Sequence, residues 1–140
     1  MIVVDASVAV AVILTEPECG EALSTLKTTD ILHAPSLLVY EVTNSIAAAV
    51  RRERMTETES HIAVARFNEL PWSFETHAGT LRVDDVLQLA IRHRLSAYNA
   101  SYLELALRCK CPIATLDFEL RKASKKEELQ VLLRDRKRRT

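Results

Sequence analysis

The sequence predicts an α/β domain built on a mostly parallel sheet with helices on both faces. Three observations carry that prediction. Short continuous apolar runs, "MIVVD" and "CPIATLD" among them, have the length and character of buried strands. They alternate with longer stretches of helical periodicity, the pattern of strands joined by crossover helices. Two of the runs end in an aspartate, Asp5 and Asp117. Open sheets of this kind gather their ligand-binding groups at the carboxyl ends of strands, near a switch in strand order.

In chain order, "MIVVD" is the first strand, followed by a helix over "ASVAVAVIL" that stops before Pro17. "CGEALSTLK" suggests a second helix, and "DILHAP" a short strand closed by Pro35. "SLLVYEVTNSIAAAVRRER" is a strong helix with Ser36 as its expected cap. Residues 56 to 69 open with "TETE", a Thr with an acid three positions on, and form a capped helix. "WSFET" alternates like a strand. "LRVDDVLQLAIRHR" is amphipathic, with Leu81, Val86, Leu89 and Ala90 on one face. "AYNASYLELA", residues 97 to 106, opens another helix, "CPIATLD" is a buried strand, and "LQVLL" near residue 130 is the last.

The chain has 140 residues, 48% of them hydrophobic and 27% charged, which describes one soluble globular domain over 1–140. The apolar start "MIVVDASVAVAVIL" is broken by Asp5 and has no basic region before it, so it resembles neither a signal peptide nor a membrane span. The expectation is a cytoplasmic protein without a membrane partner. With two glycines, Gly20 and Gly79, neither GxGxxG nor a Walker loop is possible. Cys19, Cys109 and Cys111 contain no CxxC pair, and Cys109 and Cys111 read as reduced residues packed where a helix ends. His33, His61, His77 and His93 match no zinc-ligand spacing. The net charge is zero but uneven. Residues 121 to 140 hold nine Lys and Arg against three Asp and Glu, an excess of six, and the rest of the chain balances it. The basic tail 134–140, "RDRKRRT", suits either a phosphate backbone or a solvated, frayed terminus.

An aspartate leaving a buried strand either caps the next helix or serves as a ligand or catalytic acid. Two at equivalent strand ends favour the second reading, because the ends of neighbouring strands converge. Glu41 adds to it. It lies mid-helix in "LLVYEVTNSIAAAV", and a carboxylate among such residues is normally paired or metal-bound. Asn44, one turn later, shares its face and is placed to hydrogen-bond it. The structural alternative is a salt bridge to Arg82 or Arg92.

"IVVDASV", "YEVTN", "LSAYNASYLELALRCKCPIATLD" and the following "FELRKAS" resemble a PIN-domain ribonuclease, and within that family the VapC toxins of toxin–antitoxin pairs. The likeness runs nearly end to end, with four motifs in matching order. It implies a three-layer α/β/α fold and an endoribonuclease dependent on Mg²⁺ or Mn²⁺. It also implies an acidic pocket at Asp5, Glu41, Asn99 and Asp117 as metal ligands. Thr115 and Ser7 would be supporting catalytic hydroxyls, and Asn44 a polar helper beside Glu41. The implied partners are an RNA substrate, a small antitoxin lying across the acidic groove, and a second copy of the chain. Ile46, Ala47, Ile62 and Val64, on the helices at 36–51 and 56–69, are expected to supply part of the dimer surface.

One position departs from the family. Asn99 stands where the family has Asp, and an amide oxygen is neutral and a weaker ligand for Mg²⁺. Three readings follow. Asn99 is a weakened or water-mediated ligand in an impaired enzyme; the site is broken and the domain persists as an antitoxin- or RNA-binding module; or Asn99 merely caps its helix. A haloacid-dehalogenase-type phosphotransferase also carries Asp after its first strand, but requires a second Asp where Ser7 stands here.

Overall fold

The computed structural model describes residues 1–75 and 82–133. Leu81, His77, Gly79 and the basic tail 134–140 lie outside the described residues. Five strands form one sheet in the order β3-β2-β1-β4-β5, and every neighbouring pair is parallel. The strands are β1 (Ile2–Val4), β2 (Leu32–Pro35), β3 (Trp72–Glu75), β4 (Ile113–Ala114) and β5 (Val131–Leu132). The helices between them are α1 (Ala6–Ile13), α2 (Cys19–Leu26), α3 (Leu37–Arg51), α4 (Glu57–Asn68), α5 (Val83–His93), α6 (Ala97–Cys109) and α7 (Phe118–Lys126). The chain builds outward from β1 through β2 to β3, then returns to lay β4 on the other side of β1. The strand order therefore switches between β1 and β4.

Side-chain alternation along these short strands feeds two separate cores. Val3, Ala34 and Ile113 join Leu38, Val42, Leu103, Leu105 and Leu120 on one face of the sheet. Ile2, Val4, Leu32 and Ala114 join Ala22, Leu26 and Leu116 on the other. Successive residues of a strand point to opposite faces, so an unbroken apolar run such as Ile2-Val3-Val4 serves both cores at once. Helix α1 divides in the same way: Ala9 and Ile13 enter the first core, Val8, Ala11 and Val12 the second. Its near-total burial explains why it carries no polar face.

Local signals act mostly as the sequence foretold. Thr56 accepts a hydrogen bond from the Glu59 amide at 3.1 Å while the Glu59 carboxylate accepts from the Thr56 amide at 3.3 Å, a complete capping box for α4. Ser36 departs from expectation. It occupies the position before α3 in helical geometry, φ −59° and ψ −22°, and its hydroxyl caps nothing. A capping side chain works from an extended backbone, which Ser36 has already left. Of the apolar residues expected to face a second copy, Ile46 is only 8% exposed and belongs to the chain's own core, whereas Ala47, Ile62 and Val64 remain exposed. No described helix is long and apolar enough to cross a membrane.

Helices α5 and α6 both end on a non-glycine residue in the left-handed region, Arg94 (φ 54°) and Lys110 (φ 53°). A side chain pays about 1–2 kcal/mol for that conformation, and glycine avoids most of it. Lys110→Gly is therefore expected to raise the unfolding free energy by about 1 kcal/mol in urea denaturation, with the reverse sign for Lys110→Val.

Candidate active site

Asp5 and Asp117 leave β1 and β4, the two strands that flank the switch. Asp5 is 3% exposed, and both its oxygens are engaged. Oδ1 accepts the Ser7 hydroxyl at 2.6 Å and the Val8 amide at 3.2 Å, the second of these capping α1. Oδ2 accepts the Thr115 hydroxyl at 2.5 Å. Each hydroxyl is itself fixed by the chain leaving β4: Ser7 Oγ accepts from the Leu116 amide at 2.9 Å, and Thr115 Oγ1 from the Asp117 amide at 3.0 Å. The segment 115–117 is thus tied to Asp5 through two hydroxyls. Asp117 caps α7 through Oδ1, which accepts the Leu120 amide at 2.8 Å. Both aspartates are helix caps, and capping still leaves Asp117 Oδ2 without a hydrogen bond to any described residue.

Glu41 reaches the same neighbourhood from α3. Its Oε1 accepts the Tyr102 hydroxyl at 2.7 Å, and Tyr102 is 1% exposed in the middle of α6. Neither arginine considered as a partner touches it: Arg82 lies beside Asp85 and Glu104, and Arg92 pairs with Glu127. Asn44 is exposed and lines a groove of about 530 Å³ with Arg52 and Arg54, and the Glu41 carboxylate is bonded by Tyr102 instead. Tyr102 takes the place expected of Asn44. The sequence reading missed Tyr102, although a signal existed. A tyrosine inside an otherwise apolar helix needs a partner for its hydroxyl.

The charges of this region act on one another. Burial pushes the Asp5 carboxyl up from 3.8 to about 6; the Ser7, Thr115 and Val8 bonds oppose the rise, and the negative charge of Asp117 adds to it. Burial also raises Glu41, with the Tyr102 hydroxyl opposing. Tyr102 is held far above its ordinary value by burial, by its bond to Glu41, and by the charges of Glu41 and Asp5. Asp117 is therefore coupled to Asp5, and Tyr102 to both Asp5 and Glu41. Even so, no three His, Cys, Asp or Glu side chains among the described residues stand close enough to hold one metal ion. Like charges in a buried site repel, and the bond to Tyr102 holds Glu41 to its side of the pocket.

Asn99 is half-buried in the first turn of α6, one turn before Tyr102. The helix is capped by Ser96, whose hydroxyl accepts the Asn99 amide hydrogen at 3.1 Å. The capping role considered for Asn99 therefore belongs to Ser96. The Asn99 side chain makes no hydrogen bond to another described residue.

The metal-free protein should register the cost of this pocket. Asp5 titrates near 6 when folded and near 3.8 when unfolded, so between those values the folded state binds more protons. Stability is then lost as the pH rises from about 4 to about 6, by at most about 3 kcal/mol from this group. In chelator, Asp5→Asn is expected to remove that part of the pH dependence and to equal or exceed the parent in stability at pH 7. Parallel denaturation curves at pH 4.5 and pH 7 measure it.

A family model described as "PIN domain" matches residues 2–126. Ribonuclease VapC3 of Pyrobaculum aerophilum is 29% identical over 119 residues, which is 85% of this chain and 91% of that protein. Ribonuclease VapC12 of Mycobacterium tuberculosis is 31% identical over 123 residues, covering 86% and 89%. The crystal structure of PAE2754 from Pyrobaculum aerophilum superposes with a TM-score of 0.69 over 93% of this chain and 81% of that one, at 22% identity, a likeness of fold. The all-parallel five-stranded sheet, its switch between β1 and β4 and these matches agree: the chain belongs to the PIN-domain family and, within it, to the VapC proteins.

Proposed function

We propose that the chain is a metal-dependent endoribonuclease, the toxin of a toxin–antitoxin pair, which hydrolyses RNA phosphodiester bonds with an activity reduced by Asn99. The observation that carries this reading is the buried Asp5 carboxylate, held by three donors at the seam of β1 and β4 beside a second carboxylate. Such a pair is costly without a cation and well suited to one. The relatives named as ribonucleases support the reaction class.

The donors are all oxygens, which fits Mg²⁺ or Mn²⁺, and Mg²⁺ needs only one or two carboxylates besides water and substrate phosphate. A preassembled set of three carboxylates is therefore not required. Asp5 and Asp117 would hold the ion, with Glu41 Oε2 and the Asn99 carbonyl reaching it directly or through water. When bound, the ion would activate water and neutralise charge on the phosphate under attack. Ser7 and Thr115 are positioning residues. Their hydroxyls hold Asp5 ionised and fix it to the chain that carries Asp117. Tyr102 does the same for Glu41. No protein nucleophile enters the reaction.

The partners follow from the same reading. A small antitoxin that brings a basic side chain to the carboxylates would silence the pocket. A second copy would cover the exposed Ala47, Ile62 and Val64, while the protein acts on RNA in the cytoplasm. Two observations favour a second reading, a PIN domain that binds antitoxin or RNA without cleaving: the neutral Asn99 and the lack of a ready three-carboxylate cage among the described residues.

Cleavage of a total-RNA pool separates the two. With Mg²⁺ or Mn²⁺ the protein should cut slowly, Asn99→Asp should cut about tenfold to more than a hundredfold faster, and Asp117→Asn should be inactive. Equal rates for the Asn and Asp forms across a metal titration would remove position 99 from the metal. No cleavage by either form would leave the binding module.

A further inference from the structure

Cys109 and Cys111 are nucleophilic side chains that the nuclease reading leaves unused. Both are free thiols, and they stand on either side of Lys110, where α6 gives way to the turn into β4. Cys111 is 5% exposed, Cys109 is half-buried, and both pack against the first core. The Cys111 amide donates to the Ala106 carbonyl at 3.0 Å, and the Lys110 amide to the Leu107 carbonyl at 3.3 Å. This is the paired bonding of a helix that ends on a left-handed residue.

That ending brings the two cysteines together. Lys110 has φ 53° and ψ 43°, the mirror image of a helical residue. Helix geometry then places the Cα atoms of its two neighbours about 5.4 Å apart. Disulfides need a Cα separation of about 4.4–6.8 Å. The Cys111 side chain is also turned the right way. Its thiol folds back over Cys109 and donates to that residue's carbonyl oxygen at 3.4 Å. Burial holds the Cys109 thiol above its usual range, and the charge of Cys111 adds to the rise. A thiol so raised carries little thiolate at neutral pH, so the pair stays reduced until an oxidant is in excess. Cys19 is engaged elsewhere: at the start of α2, its thiol donates to the Val12 carbonyl at 3.6 Å.

We infer that Cys109 and Cys111 form a reversible redox site, which closes on oxidation to an intrachain disulfide across Lys110. With oxidised glutathione as oxidant, the half-buried Cys109 attacks first as thiolate and releases one glutathione thiolate. Cys111 then attacks the Cys109 sulfur of the mixed disulfide and expels the second glutathione. The pair loses two protons and two electrons, and the oxidant becomes two thiols. Such a bond is a switch and not a staple. It closes a loop of only three residues, which takes little freedom from the unfolded chain and adds little stability. It also sits at a joint, since α6 carries Asn99 and Tyr102 while β4 leads to Thr115 and Asp117.

Mass spectrometry of the whole protein, equilibrated in glutathione buffers and then alkylated, tests the inference. Trypsin cuts after Arg108 and Lys110, so the bond would join peptides 109–110 and 111–121. In oxidising buffer that linked pair should appear with Cys19 alkylated, and excess reduced glutathione should separate it. Cys19→Ser should leave the linkage intact. Cys111→Ser should stop Cys109 at the mixed disulfide, and Cys109→Ser, at the less buried position, should leave Cys111 a free thiol. A bond from Cys19 to either residue, a bond between two chains, or free thiols in fully oxidised glutathione overturns the inference. So does a parent protein that stops at the mixed disulfide, or a linked pair that excess reduced glutathione cannot open.

Discussion

The site depends on one buried carboxylate. Asp5 lies where the chain leaves the central strand, and its oxygens receive the Ser7 and Thr115 hydroxyls and the Val8 amide. Those contacts join three things a switch point must bring together: the end of β1, the start of α1, and the segment that carries Asp117 out of β4. A charge in such a place is expensive unless hydrogen-bonded, and the donors offset only part of the cost, because the carboxyl remains raised to about 6. The remainder is an unmet demand for positive charge, and it is the physical root of the proposed cation site.

The fold meets this demand with local devices used twice. Asp5 and Asp117 each cap the helix that follows them, which orients one carboxylate oxygen and steers the helix dipole toward the acid. Capping and ligation had looked like competing explanations of a strand-end aspartate. The geometry makes them compatible at Asp117, where the cap engages Oδ1 alone, while at Asp5 the second oxygen accepts the Thr115 hydroxyl. Glu41 is treated similarly by Tyr102, which takes Oε1 alone. At Asn99 the cap is delegated to Ser96, so the amide at position 99 is unconstrained by the helix end it sits in.

Much of this was legible in the sequence. Unbroken apolar runs marked β1 and β4, where burial on both faces demands them, alternation marked β3, and Thr56 with Glu59 marked a capping box that the structure contains. The aspartates were visible as the residues ending those runs. What escaped notice depended on three-dimensional choices between neighbours. Ser36 has the right chemistry for a cap but the wrong backbone, and Ser96 was overlooked beside the more conspicuous Asn99. Asn44 shares a helix with Glu41, yet a tyrosine from α6, 61 positions away, fills the bond. Ile46 looked like surplus surface until the core was seen to use it.

If the Asp5 pocket binds a divalent cation in the folded state, the thermal unfolding midpoint differs between Mn²⁺ and chelator at pH 7.5. A cation that binds only the folded protein raises the midpoint, by about 10 °C at a hundredfold excess over its dissociation constant. Such a rise is expected, as is its loss when Asp5 and Asp117 are replaced together by asparagine. A midpoint that is the same in Mn²⁺ and in chelator would rule the cation site out.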